Sequence, residues 1–106
     1  MATILNIGLK TADGTRIIPT LDAYTAAQKF LGTPTNAVRR AAKGPDDEPT
    51  LVLTYWWAPP AAAIDRLSTA LHQDCIAVLD DVTGVGRLIG PNAAAWGAFN
   101  PAFFKR

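Results

Sequence analysis

The chain has 106 residues, of which 49% are hydrophobic and 18% charged, and its formal charge is +1. That length and balance fit one folded domain spanning 1–106 and exclude an intrinsically disordered chain. The near-zero charge gives no general pull toward nucleic acid or an anionic membrane.

Residues 3–10 alternate, with Leu5, Ile7 and Leu9 on one side and Asn6, Gly8 and Lys10 on the other. This is the pattern of a half-buried strand. Asp13-Gly14 is a two-residue hairpin signal, Thr15 to Ile18 a short return strand, and Pro19 stops the ladder. Thr20 has the chemistry of a helix N-cap, and Asp22 favours the N-terminal end of the helix dipole. Ala23, Ala27, Phe30 and Leu31 form an apolar stripe beside Tyr24, which predicts a first helix over 21–31. Gly32 then serves as its C′ residue, with Pro34 just beyond.

Asn36 to Ala42 reads as a strand, and 43–49 as a polar loop rich in proline and acid. Thr50 to Trp57 is the strongest strand, β-branched and aromatic with prolines on both sides. Pro59-Pro60 opens a second helix that runs to about Gln73, with Ile64, Leu67 and Leu71 inward and Ala63 and Ala70 filling the gaps. Cys75 to Leu79 is a near-continuous apolar run, the mark of a central strand covered on both faces. Asp80 to Gly84 is a turn, and Val85 to Ile89 returns as a short strand. Asn92 is placed to cap a single helical turn through Trp96. The segment 91–106 also carries Phe99, Phe103 and Phe104, too much aromatic surface for a free solvated tail.

The order β-β-α-β-β-α-β-β contains the βαββαβ pattern of a ferredoxin-like α+β sandwich with extra hairpin strands. A mainly antiparallel sheet with two helices on one face is expected. Strand, proline and alanine-rich helix occur twice, at Ile17-Ile18-Pro19 and at Trp57-Ala58-Pro59. Shared punctuation accounts for this echo better than duplication.

Candidate chemistry is sparse. Gly84, Gly86 and Gly90 follow a GxGxxxG spacing, which is not that of a dinucleotide loop, and no long helix follows to hold a phosphate. A tight hairpin explains them. His72 is the only histidine and Cys75 the only cysteine, so an internal disulfide and multi-histidine metal sites are excluded. A helix end followed by a strand sends His72 and Cys75 in different directions, against a nucleophile–base pair. Asp80-Asp81 and Asp46-Asp47-Glu48 read as solvated turns rather than metal ligands. No cofactor and no enzymatic activity are expected. Arg39, Arg40 and Lys43 are the one basic patch. The aromatic strand lacks the glycine and basic residues of an RNA-binding sheet, so nucleic acid is not the expected partner.

The run Tyr55-Trp56-Trp57 is the most informative feature. Alternation puts Tyr55 and Trp57 on one face and Trp56 on the other. Trp56 either meets the aromatic C-terminal segment of its own chain or is offered to another molecule. Tyr55, Trp56, Trp57, Trp96, Phe99 and Phe103 are therefore the candidate partner-binding residues, tryptophan and tyrosine being common binding hot spots.

The stretch Leu88-Ile89-Gly90-Pro91-Asn92-Ala93-Ala94-Ala95-Trp96-Gly97-Ala98-Phe99-Asn100-Pro101-Ala102-Phe103-Phe104 resembles small uncharacterised proteins of proteobacterial phages, prophages and integrative mobile elements, as does Thr3-Ile4-Leu5-Asn6-Ile7-Gly8-Leu9. The resemblance implies a mobile-element accessory protein that acts by binding a host or phage protein, and carries no catalytic residues. The N-terminus lacks the features of a signal peptide, and no stretch approaches the ~20 apolar residues that span a bilayer. The expectation is a cytoplasmic protein-interaction module that pairs with a protein or with itself as a homodimer. The alternatives are a small-molecule-binding regulatory dimer and an RNA-binding sheet.

Overall fold

The computed structural model describes residues 2–42 and 48–97. The elements are β1 (Thr3–Gly8), α1 (Thr20–Leu31), β2 (Asn36–Arg40), β3 (Thr50–Tyr55), α2 (Ala61–Ala70), β4 (Ile76–Asp80), β5 (Gly86–Ile89) and a 3-10 turn, Ala93–Trp96. The five strands form one sheet in the order β2-β3-β1-β4-β5, and every pairing is antiparallel. The first four strands have the ferredoxin-like order and β5 extends the sheet by a hairpin from β4. The expected α+β fold is therefore the observed one.

The alternation read in the sequence builds the core. Leu5, Ile7 and Leu9 meet Leu51, Leu53 and Tyr55, with Ile76 and Val78 on the next strand. Ala23, Ala27 and Leu31 of α1 and Ala63, Ile64 and Leu67 of α2 cover that face. Both helices thus lie on one side. Phe30, Tyr24 and Trp57 border the cluster, partly buried. Fully burying a leucine or isoleucine contributes about 1.5–3 kcal/mol, so these side chains fix which face of each strand turns inward.

Both helices begin after a proline of nearly identical conformation. Pro19 has φ −59 and ψ 138, Pro60 φ −59 and ψ 139, and neither helix has a side-chain cap. The expected N-cap, Thr20, is instead the first helical residue. Pro19 holds the N-cap position because its fixed φ suits the entry, and its carbonyl accepts from the Ala23 N–H at 3.1 Å. Pro60 takes the same role with Ala63 and Ile64. The sequence echo is thus shared punctuation at the two helix starts.

Other boundaries shift by a few residues. The second helix stops at Ala70, and Leu71 and His72 close it, with His72 at φ 55. Ala70 is exposed, and Ser68 takes the inward place instead, its hydroxyl donating to the Gln73 carbonyl at 3.1 Å. The Asp13-Gly14 hairpin forms, but its return is an isolated bridge, Lys10 to Ile17, rather than a strand. The glycine spacing resolves as a hairpin: Gly84 has φ +73, and its N–H donates to Asp80 O at 2.9 Å.

Candidate functional site

β3 ends at Tyr55, and the chain bends at Trp56 and Trp57. Tyr55 is fully buried, and its hydroxyl donates to the Gly32 carbonyl at 2.9 Å, tying the end of β3 to the end of α1. Burial, with the nearby Tyr24 adding to it, pushes the Tyr55 phenol up to about 12. It therefore stays a donor throughout the neutral range. Trp57 lies edge-on to Tyr55 at 5.0 Å and rests on Gly32, where an added Cβ would come within 3.4 Å of its ring. Trp56 stands edge-on to Trp57 at 5.3 Å and is 68% exposed.

The three aromatics thus form a ladder of support. Tyr55 belongs to the core, not the contact surface, because its ring fills the gap beneath the α1 C-terminus. Trp57 is the half-buried middle rung, and only Trp56 faces outward. Within the described residues, Trp56 carries the largest exposed aromatic surface, with Trp96 next at 56%. The predicted alternation held for Tyr55 against Trp56, but the bend lets Trp56 touch Trp57 as well.

Trp96 sits elsewhere, at the other end of the chain. Its indole N–H donates to one Asp74 carboxylate oxygen at 3.0 Å, and the Asn92 amide donates to the other at 3.2 Å. The Asn92 backbone N–H also donates to Asp74 O at 3.0 Å. Asn92 therefore does not cap the 3-10 turn with its side chain, as its position implied; that side chain is held by Asp74. Asp74 clamps the last described turn onto the start of β4.

That clamp forms one wall of a depression of about 480 Å3 on the sheet face opposite the helices. Asn6, Gly8, Thr50 and Ala77 line its floor, and Glu48, Gln73, Cys75 and Trp96 its sides. Gly8 is what lets the sides converge. A Cβ there would come 2.5 Å from Glu48 Oε1 and 3.0 Å from Gln73 Oε1. Gln73 is 8% exposed, and its amide nitrogen donates to Lys10 O at 2.8 Å, which fixes the side chain. Burial raises the Cys75 thiol above its ordinary value, and the Asp74 carboxylate raises it further. A thiol shifted in that direction is a poor nucleophile.

His72 lines a separate hollow near Thr11 and Asn92, and Cys75 does not line that hollow. Asp80 is used in the β4–β5 turn, where its carboxylate accepts from the N–H groups of Val82 and Thr83 at 2.9 and 3.2 Å. Among the described residues no three His, Cys, Asp or Glu side chains group as metal ligands. Arg39 is exposed and Arg40 half-buried on β2. Lys43, Phe99 and Phe103 lie outside the described residues.

No family model, curated protein or solved structure matches this chain. Its own geometry therefore carries the functional argument. Among the described residues, no helix is long and apolar enough to cross a membrane. Sequence reasoning did not find the depression, because its walls come from the loop before β3, the link after α2 and the last turn. The one signal in the sequence was Gly8, a glycine inside a strong strand, which marks a close approach over the backbone.

Proposed function

We propose that the chain is a small protein-interaction module of a phage or mobile element, acting without catalysis, with Trp56 as its principal contact. One observation supports this above the others: Trp56 is 68% exposed while its ring rests on Trp57, itself braced by the buried Tyr55. An exposed tryptophan held in one orientation binds with little loss of side-chain freedom, which is what makes such residues hot spots. Binding to a host protein is the role that fits a mobile-element product. The test is affinity capture from the host with wild type and Trp56→Ala side by side. The variant should lose the captured partner while its melting temperature stays within about 5 °C of wild type. Equal capture by both proteins would sink the reading.

A second reading, a small-molecule-binding regulatory domain, is favoured by the depression of about 480 Å3 on the open sheet face. That volume suits a small metabolite. Thermal shift against amino acids and nucleotides checks it, and no shift with any of them would remove it. An RNA-binding sheet has less support. Its stacking aromatics would stand on the open face of the central strands, and Ile4, Asn6, Val52 and Thr54 occupy those positions.

A further inference from the structure

The strand β2 is the edge of the sheet, and four of its five residues are exposed. Which of its backbone groups point outward follows from hydrogen-bond parity. Leu9 N–H donates to Pro49 O at 2.9 Å, in line with the β1–β3 register. Alternation along an antiparallel ladder then turns the odd-numbered residues of β3 to β1, and Thr50, Val52 and Thr54 to β2. These pair with Arg40, Val38 and Asn36. The outward N–H and C=O groups of β2 are therefore those of Ala37 and Arg39. An edge with such groups is a template for another strand unless something blocks it. Asn36-Ala37-Val38-Arg39-Arg40 contains no proline or glycine, and its two charges, Arg39 and Arg40, lie together at one end.

We propose that this edge pairs with the same edge of a second copy, antiparallel and two-fold symmetric about Val38. Parity and charge select that register. Outward residues must face outward residues, which leaves centres at Ala37, Val38 or Arg39. Centring on Arg39 sets Arg39 against its own copy. Centring on Ala37 needs the Thr35 N–H to donate to the copy's Arg39, but that N–H already donates to Thr54 O at 2.8 Å. Centring on Val38 pairs Ala37 with Arg39 in reciprocal hydrogen bonds and sets Arg40 against Asn36, so each arginine faces a neutral residue. It also sets Val38, 47% exposed, directly against its copy on the open sheet face. The two sheets become one continuous sheet. The other edge, β5, is shorter, begins at Gly86, and runs directly into Gly90-Pro91. This interface is distinct from Trp56 and stands whether or not the Trp56 reading holds.

The pairing is small, so association belongs to the weak class and is read by sedimentation at about 10–200 µM protein. Wild type should show a monomer–dimer equilibrium in that range. Ala37→Pro removes an outward N–H while leaving the bonds to β3, so it should stay folded by circular dichroism and dimerise at least about tenfold more weakly. Cysteine placement tests the register independently, in a Cys75→Ala background. A non-hydrogen-bonded antiparallel pair has Cα atoms about 4.5 Å apart, within disulfide reach. Val38→Cys should therefore oxidise to a covalent dimer. Ala37→Cys, offset from its copy in this register, should not. A wild-type protein that stays monomeric through the range overturns the proposal, as does equal cross-linking of the two cysteine variants. If Ala37→Pro fails to fold, the cysteine pair decides.

Discussion

Replacing Gly90 by alanine places a methyl group between two backbones. The added Cβ would collide with the Asp74 carbonyl oxygen and come 2.5 Å from Cys75 Cα and 2.8 Å from Ser68 Oγ. Ordinary carbon contacts are about 3.5–4.0 Å, so the end of β5 and the start of β4 must separate by about 1 Å. Neither neighbour yields cheaply. The Ser68 hydroxyl is committed to the Gln73 carbonyl at 3.1 Å, and the Asp74 carbonyl to the Asn92 N–H at 3.0 Å. Overpacking of this kind typically costs 1–3 kcal/mol, and with backbone on two sides the expected loss for Gly90→Ala is about 3 kcal/mol. Gly84→Ala is the control. It has φ +73 but no heavy atom within 4 Å of the added Cβ, so it should lose only about 1 kcal/mol through backbone strain. Urea unfolding measures both, and the Trp96 indole N–H resonance should move in Gly90→Ala alone, because Asp74 holds that indole at 3.0 Å. If Gly90→Ala costs no more than Gly84→Ala, the close approach that carries the argument is wrong.

Tyr55→Phe removes the donor to Gly32 O and leaves a carbonyl at the end of α1 without its partner; the expected loss is about 1–2 kcal/mol, a fall in melting temperature of about 4–12 °C. Asp13 accepts from the Thr11 hydroxyl at 2.6 Å and from the Thr15 N–H and hydroxyl at 3.0 and 2.8 Å, and these bonds hold its carboxyl at about 2 instead of 3.8. A lowered folded-state value means its contribution is present above pH 3.8 and is lost as pH falls toward 2. Titration by NMR should show the Asp13 midpoint near the lower value, and Asp13→Asn should remove that part of the acid sensitivity. Cys75, raised by burial and by Asp74, should alkylate with iodoacetamide at pH 8 more slowly than a cysteine in an unstructured peptide; a faster rate would contradict the placement.

Much of the architecture could be read directly from residue patterns, for reasons that lie in local chemistry. Leu5, Ile7 and Leu9 alternate because one face of β1 is buried, and Ala23, Ala27 and Leu31 repeat at helical spacing because α1 covers that face. Prolines and glycines set the boundaries to within a few residues. At each miss another residue took the role expected of the named one, a neighbour at Thr20 and Ala70 and a distant partner at Asn92. Thr20 looked like a cap, but Pro19 already supplied the entry geometry. Asn92 looked like a cap, but Asp74, far back in the chain, claimed its side chain. Ala70 matched the stripe, but the helix ended there and Ser68 turned inward toward Gln73. The site was legible to the same extent. The aromatic run marked itself, and alternation separated Trp56 from Tyr55. The bend after Tyr55, which makes Trp57 a support for Trp56, depends on Gly32 and the end of α1, and no short-range pattern announces it.

The most direct test of Trp56 as the displayed contact reads stability and partner capture on one preparation of Trp56→Ala. At 68% exposure, the ring contributes little to the fold, so the unfolding free energy should fall by less than about 1 kcal/mol. Capture of the partner enriched by wild type should drop at least about tenfold. A variant that unfolds, or one that keeps its stability and captures the same partner undiminished, would contradict the account.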